Sequence, residues 1–72
     1  MEQRRIYLSY DKDADVVYLS FGKPEKAEGE EIQDGVFARY RSGTKELVGL
    51  TITGFSRKFG KKPREIAVPT KR

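Results

Sequence analysis

Asp11, Asp13 and Asp15 stand two residues apart from one another, the spacing of the first three oxygen ligands of a calcium loop. Such a loop also needs glycine at its sixth position and a bidentate glutamate at its twelfth. The chain has Val16 and Gly22 there, so the calcium reading fails. What remains is turn chemistry, in which short aspartate side chains accept hydrogen bonds from nearby backbone amides. Asp15 is expected to lock the hairpin that leads into Val16–Phe21. A second acidic group, Glu28, Glu30, Glu31 and Asp34, could suggest paired carboxylates for acid–base catalysis. That chemistry needs a cleft and shifted pKa values, and a chain of 72 residues offers little cleft. A charged edge strand that blocks sheet-to-sheet aggregation is the better account. Histidine and cysteine are both absent, which removes imidazole catalysis, Ser-His and Cys-His nucleophiles, ordinary zinc sites and disulfides. The expectation is a non-enzymatic chain with no metal and no cofactor.

The charge is unevenly spread. Lys and Arg number 15 against 11 acidic residues, yet residues 56–72 alone carry a net +6 and residues 1–55 a net −2. Arg57, Lys58, Lys61, Lys62 and Arg64 are therefore candidates for contact with a polyanion, set against the plainer reading of a solvated basic terminus. The N-terminal stretch has no apolar core of a signal peptide, and no apolar run approaches the ~20 residues of a membrane span. A cytoplasmic location is expected.

Period-two alternation dominates the segments that must position these residues. Residues 5–10 alternate bulky apolar groups with smaller or polar ones, and Val16–Phe21 is a β-branched and aromatic run. Val36–Arg41 sets Val36, Ala38 and Tyr40 against Phe37, Arg39 and Arg41. Residues 47–55 place Val48, Leu50 and Ile52 opposite Thr51 and Thr53. All four segments read as strands. Residues 11–15 form the first turn, and Lys23-Pro24 ends the second strand because proline cannot donate to a ladder. Asp34-Gly35 suits a two-residue type I′ turn, making residues 30–33 a short partner strand. Residues 42–46 form a longer hairpin loop around Gly43. Residues 56–59 could make one helical turn, with Ser56 as N-cap and Gly60 as its stop. Residues 64–68, between Pro63 and Pro69, could add an edge strand. The fold class is mainly β: a small antiparallel β-meander of four to five strands with a short C-terminal helical or extended appendage.

Tyr10-Asp11, Ala14-Asp15, Tyr18-Leu19 and Phe21 spell Y-D-x-x-A-D-x-x-Y-L-x-F, followed by Asp34-Gly35-Val36, Tyr40, Gly43 and the run Leu47-Val48-Gly49-Leu50-Thr51-Ile52. Over residues 5–56 the chain resembles the small prokaryotic domain-of-unknown-function family twenty-two eighty-three. The resemblance implies a compact β-rich domain of uncharacterised function. It also implies an antitoxin-like partnership with a small basic toxin, which the acidic residues 25–34 would contact. The family reads D-Y-D around Tyr40, where this chain has Arg39 and Arg41, so a role needing carboxylates at that hairpin is not implied. One domain is expected, with residues 1–56 as its core and residues 57–72 as a basic extension.

If Val17, Leu19, Phe21, Val36, Ala38, Tyr40, Val48, Leu50 and Ile52 line the core, alternation fixes the opposite face. That face carries Tyr18, Phe37, Arg39, Arg41, Thr51 and Thr53, joined by Tyr7 if Ile6, Leu8 and Tyr10 point inward. Tyr7, Tyr18, Phe37, Arg39 and Arg41 form the candidate interaction face. It would serve a second copy of the chain, lie under the C-terminal segment, or bind single-stranded RNA by stacking and phosphate contact. A domain of this size buries only about 60% of its unfolded surface, which favours an oligomer. The expected role is protein–protein contact as a homo-oligomer, with the RNA-binding sheet and the antitoxin-like partner as alternatives.

Overall fold

The structure, a computed structural model, describes residues 4–72; residues 1–3, part of the stretch read above as lacking a signal peptide, lie outside it. Five strands form one antiparallel sheet: β1 Ile6–Asp11, β2 Val16–Phe21, β3 Ala27–Gln33, β4 Val36–Arg41 and β5 Leu47–Thr53. One short helix, α1 Phe55–Phe59, follows. The mainly β fold is the one the alternation predicts, and the order across the sheet is β1-β2-β5-β4-β3. β1–β2 and β3–β4–β5 are nearest-neighbour units, and β2 pairs with β5 rather than β3. The β2–β3 connection therefore carries the chain to the far edge.

Register settles the faces. Tyr10, Val17, Ile52 and Val36 lie in one row across β1, β2, β5 and β4, and Leu8, Leu19, Leu50 and Ala38 lie in the next. Val17, Val36, Ala38, Tyr40, Val48 and Ile52 are the buried core. Ile32, Phe55, Phe59 and Ile66 pack on its Val17–Val36–Ile52 cluster. Residues 55–72 thus cover the core face, not the opposite one. Their cover stops short of the β1 side: Ile6, Leu8 and Tyr10 point to the core face as expected but stay exposed, Leu8 at 68%. Phe21, expected in the core, is exposed as well. Alternation assigns a side chain to a face; it does not supply a layer to bury it.

Local details differ from the sequence expectations for physical reasons. β3 begins at Ala27 rather than Glu30, because β4 offers pairing partners as far as Arg41. Asp34 is not among the residues of positive φ, so its turn with Gly35 (φ 74°) is not type I′. A bulge between Glu31 and Gln33 takes up the strand twist instead, and Glu31 Oε2 accepts the Gly35 N–H at 3.0 Å. In the β4–β5 loop the left-handed residue is Lys45 (φ 64°). β5 ends at Gly54 (φ 61°), which occupies the N-cap position of α1 expected for Ser56. Residues 64–68 form no strand. They run between two prolines across the core face with Ile66 as their anchor, so no sheet edge lies beside them. Strand-like pairing comes later, where the Leu47 N–H donates to the Thr70 carbonyl at 3.0 Å and the Arg72 N–H to Lys45 at 2.9 Å.

Candidate functional site

The motif aspartates act on the backbone first. Asp11 Oδ1 accepts the Ala14 N–H at 3.1 Å and closes the β1–β2 turn. Asp15 takes a left-handed φ of 58°, a conformation that aspartate tolerates better than most residues. Its carboxylate then reaches across the sheet to the helix start. Tyr10 Oη donates to Asp15 Oδ1 at 2.6 Å. The Ser56 N–H donates to Oδ1 at 3.0 Å and Ser56 Oγ to Oδ2 at 2.9 Å. The Asp15 carbonyl accepts the Phe55 N–H at 3.1 Å. Asp15 therefore caps α1 from 41 residues away, and Ser56 donates to it rather than capping its own helix. The Tyr10 hydrogen bond, followed by that of the Ser56 backbone, holds the Asp15 carboxyl below the ordinary carboxylate range. The same bond pushes the Tyr10 phenol up. Tyr10 also meets Phe55 with ring centroids 6.0 Å apart, and Phe55 stacks on Phe59 at 5.5 Å. Nothing local in the sequence signals this long-range contact.

Most carboxylates of residues 25–34 are engaged within the chain. Glu25 binds Arg41 through both oxygens at 2.8 and 3.0 Å. The guanidinium lowers the Glu25 pKa, and Glu25 raises that of Arg41. Glu28 pairs with Arg72 at 2.8 Å and Lys45 at 3.6 Å, and Glu30 with Arg72 at 3.4 Å. β3 is an edge strand, as its acidic composition suggested.

On the face opposite the core, Tyr7, Ser20, Gly49, Arg39 and Gly29 form one row across the whole sheet. The two central strands contribute only Ser20 and Gly49 between Tyr7 and Arg39, so this face dips there. Gly49 is fixed by packing, because a Cβ at that position would meet the Leu19 carbonyl. The result is a depression of about 320 Å³ whose lining includes Tyr7, Ser9, Tyr18, Ser20, Pro24 and Arg39. Three of the five sequence-derived face residues, Tyr7, Tyr18 and Arg39, meet here. Phe37 lies in the adjoining row with Thr51 and Glu31, and Arg41 is held by Glu25; neither lines the depression.

The basic tail lies on the other side of the sheet. Lys58 Nζ donates to the Asp34 carbonyl at 2.7 Å, and Arg57 adds to the field that lowers Asp15. Lys61, Lys62 and Arg64 are exposed. Among the described residues no helix is long and apolar enough to cross a membrane.

A family model described as "Protein of unknown function (DUF2283)" matches residues 8–56. The match runs from β1 to Ser56 and so contains Tyr10, Asp15 and the serine that Asp15 holds. No curated protein and no solved structure matches the chain.

Proposed function

This chain belongs to the DUF2283 family, and from that membership and the two unlike edges of its sheet we propose a non-enzymatic protein-contact module whose partner is a second copy of itself. The contrast between the edges carries the reading. β3 presents Glu28, Glu30 and Glu31, whereas β1 presents Ile6, Tyr7, Leu8 and Tyr10. All six large exposed hydrophobic residues of the described chain, these four with Tyr18 and Phe21, belong to β1 and β2. An exposed apolar edge with no proline and with its charge, Asp11, only at its end is a template for another strand.

The register of such pairing follows from the backbone. The Arg5 carbonyl accepts the Gly22 N–H, so alternation turns the backbone groups of Tyr7 and Ser9 toward β2 and those of Ile6, Leu8 and Tyr10 outward. Antiparallel pairing about Leu8 sets Leu8 against Leu8, Ile6 against Tyr10 and Arg5 against Asp11 of the second copy. Outward hydrogen-bonding groups, apolar side chains on one face and opposite charges all coincide in this register. Contact with a basic toxin through residues 25–34 has less support, because Glu25, Glu28, Glu30 and Glu31 already have partners in the chain.

Light scattering at micromolar concentration is expected to give twice the 8.3 kDa chain mass. Leu8→Lys sets two ammonium groups face to face, which costs several kcal/mol, so self-affinity should fall by at least about 100-fold. Leu8 is exposed, so the variant should keep the wild-type circular dichroism spectrum. A monomeric wild type, or an unchanged dimer in Leu8→Lys, contradicts the proposal.

A further inference from the structure

We infer that the depression over Ser20 binds a nucleotide, with its base against Tyr7 and Tyr18 and its phosphate at Arg39. Three independent observations meet there. First, the two central strands carry a serine and a glycine in a row bounded by Tyr7 on one side and Arg39 on the other. Three strand spacings separate those ends, about 14 Å, the reach of a base, sugar and phosphate laid flat. The volume of about 320 Å³ falls in the lower range of small-molecule sites.

Second, Arg39 has no carboxylate partner among the described residues, whereas Arg41 holds Glu25 and Arg72 holds Glu28. Arg39 is also half-buried and flanked across the sheet by Gly49 and Gly29. Those neighbours lack side chains, so the approach to its guanidinium is open. A partly desolvated guanidinium favours an anion, such as a phosphate, whose two oxygens accept parallel hydrogen bonds. Third, Tyr7 and Tyr18 are 47% and 44% exposed although aromatic rings gain from burial, and each base offers a face to stack on them. Ser9 in the lining supplies a hydroxyl for a base edge or a sugar, and Ser20 Oγ, which donates to the Gly22 carbonyl at 3.1 Å, keeps its acceptor side free. Lys23 precedes Pro24, itself part of the lining, and Lys26 follows after Glu25, whose charge Arg41 neutralises. The loop at the rim is thus cationic, as a ligand extending beyond one phosphate would require.

A free nucleotide and a residue of single-stranded RNA share this chemistry. The test titrates the full-length chain with adenosine monophosphate, with a decauridine strand and with inorganic phosphate, following amide and tyrosine ring signals by NMR. Shifts concentrated at Tyr7, Tyr18, Ser20 and Arg39 are expected for the first two probes. Binding that is more than tenfold tighter for the strand would assign the site to single-stranded RNA, and comparable binding would assign it to free nucleotides. Arg39→Gln is expected to weaken either by roughly tenfold or more, and Tyr18→Ala by about tenfold. Both side chains reach solvent, and a thermal melt confirms that each variant is folded. Three results overturn the proposal: no shift at millimolar probe, equal binding of phosphate alone, or affinity lost only in the triple variant Lys61→Ala, Lys62→Ala, Arg64→Ala.

Discussion

Replacing Tyr40 by alanine is expected to abolish the cooperative thermal transition or lower its midpoint by about 12 °C or more. Tyr40 is 1% exposed and is one of the two largest fully buried side chains. Its ring fills the core face beneath the returning C-terminal segment, and its hydroxyl donates to the Pro69 carbonyl at 3.0 Å. Truncating a buried aromatic side chain costs about 3–5 kcal/mol. The whole domain is held by something on the order of 4–11 kcal/mol, so the truncation removes a large part of the total. Tyr40→Phe separates the two contributions. It keeps the ring and deletes one hydrogen bond, a loss of about 0.5–1.5 kcal/mol. Its signature should be local, with faster amide exchange at Leu47 and Arg72, whose N–H groups tie the segment that Pro69 anchors to residues 45–47. Differential scanning calorimetry of both variants checks the pair. A Tyr40→Ala midpoint within a few degrees of wild type would refute the assignment of the core.

Asp15→Ala is expected to release α1 from the sheet. The substitution removes the acceptor of Tyr10 Oη, the Ser56 N–H and Ser56 Oγ together, and it sets a residue that tolerates positive φ poorly at φ 58°. The midpoint should fall by on the order of 5–10 °C, and trypsin should cut first after Arg57, Lys58 or Lys61. Asp15→Asn keeps the left-handed tolerance and one acceptor oxygen, so it should fall between wild type and alanine. The same cluster sets a pH response. Asp15 has a folded-state pKa below the ordinary carboxylate value, so its contribution is complete above that value and is lost as the pH falls through the folded one. Tyr10 has a raised pKa, so its contribution is complete below the ordinary phenol value and is lost as the pH rises through the folded one. The wild-type midpoint should therefore decline at both extremes, and Asp15→Ala should flatten both limbs. Equal pH profiles for the two proteins would show that the cap contributes nothing.

Period-two alternation was sufficient to find four of the strands and to assign Val17, Ala38 and Ile52 to one face and Tyr18, Arg39 and Thr51 to the other. Composition alone marked β3 as a protected edge. Three things were not legible, each because it depends on the third dimension. Pairing of β2 with β5 is set by which ladders close once residues 22–26 carry the chain to the far edge, and no local pattern records that choice. The capping of α1 depends on Asp15 and Ser56 meeting across the sheet, although each alone reads as an ordinary turn or cap residue. The depression follows from Ser20 and Gly49 becoming neighbours on β2 and β5, far apart in the chain. Tyr7, Tyr18 and Arg39 were placed on a common face by counting, yet only the strand order shows that a gap lies between them.

The β2–β5 ladder also governs how the chain reaches this fold. The β1–β2 hairpin and the β3–β4–β5 unit each close through short loops, and every ladder inside them is local. Joining them brings Val17 to Ile52 and closes a loop that already contains β3 and β4, so its entropic cost grows only slowly with length. Two locally formed pieces are then expected to meet along one seam, with docking rather than strand formation limiting the rate. Shortening Ile52 to valine should slow folding, and so should lesions in β1, because the β1–β2 hairpin has to be in place before it docks.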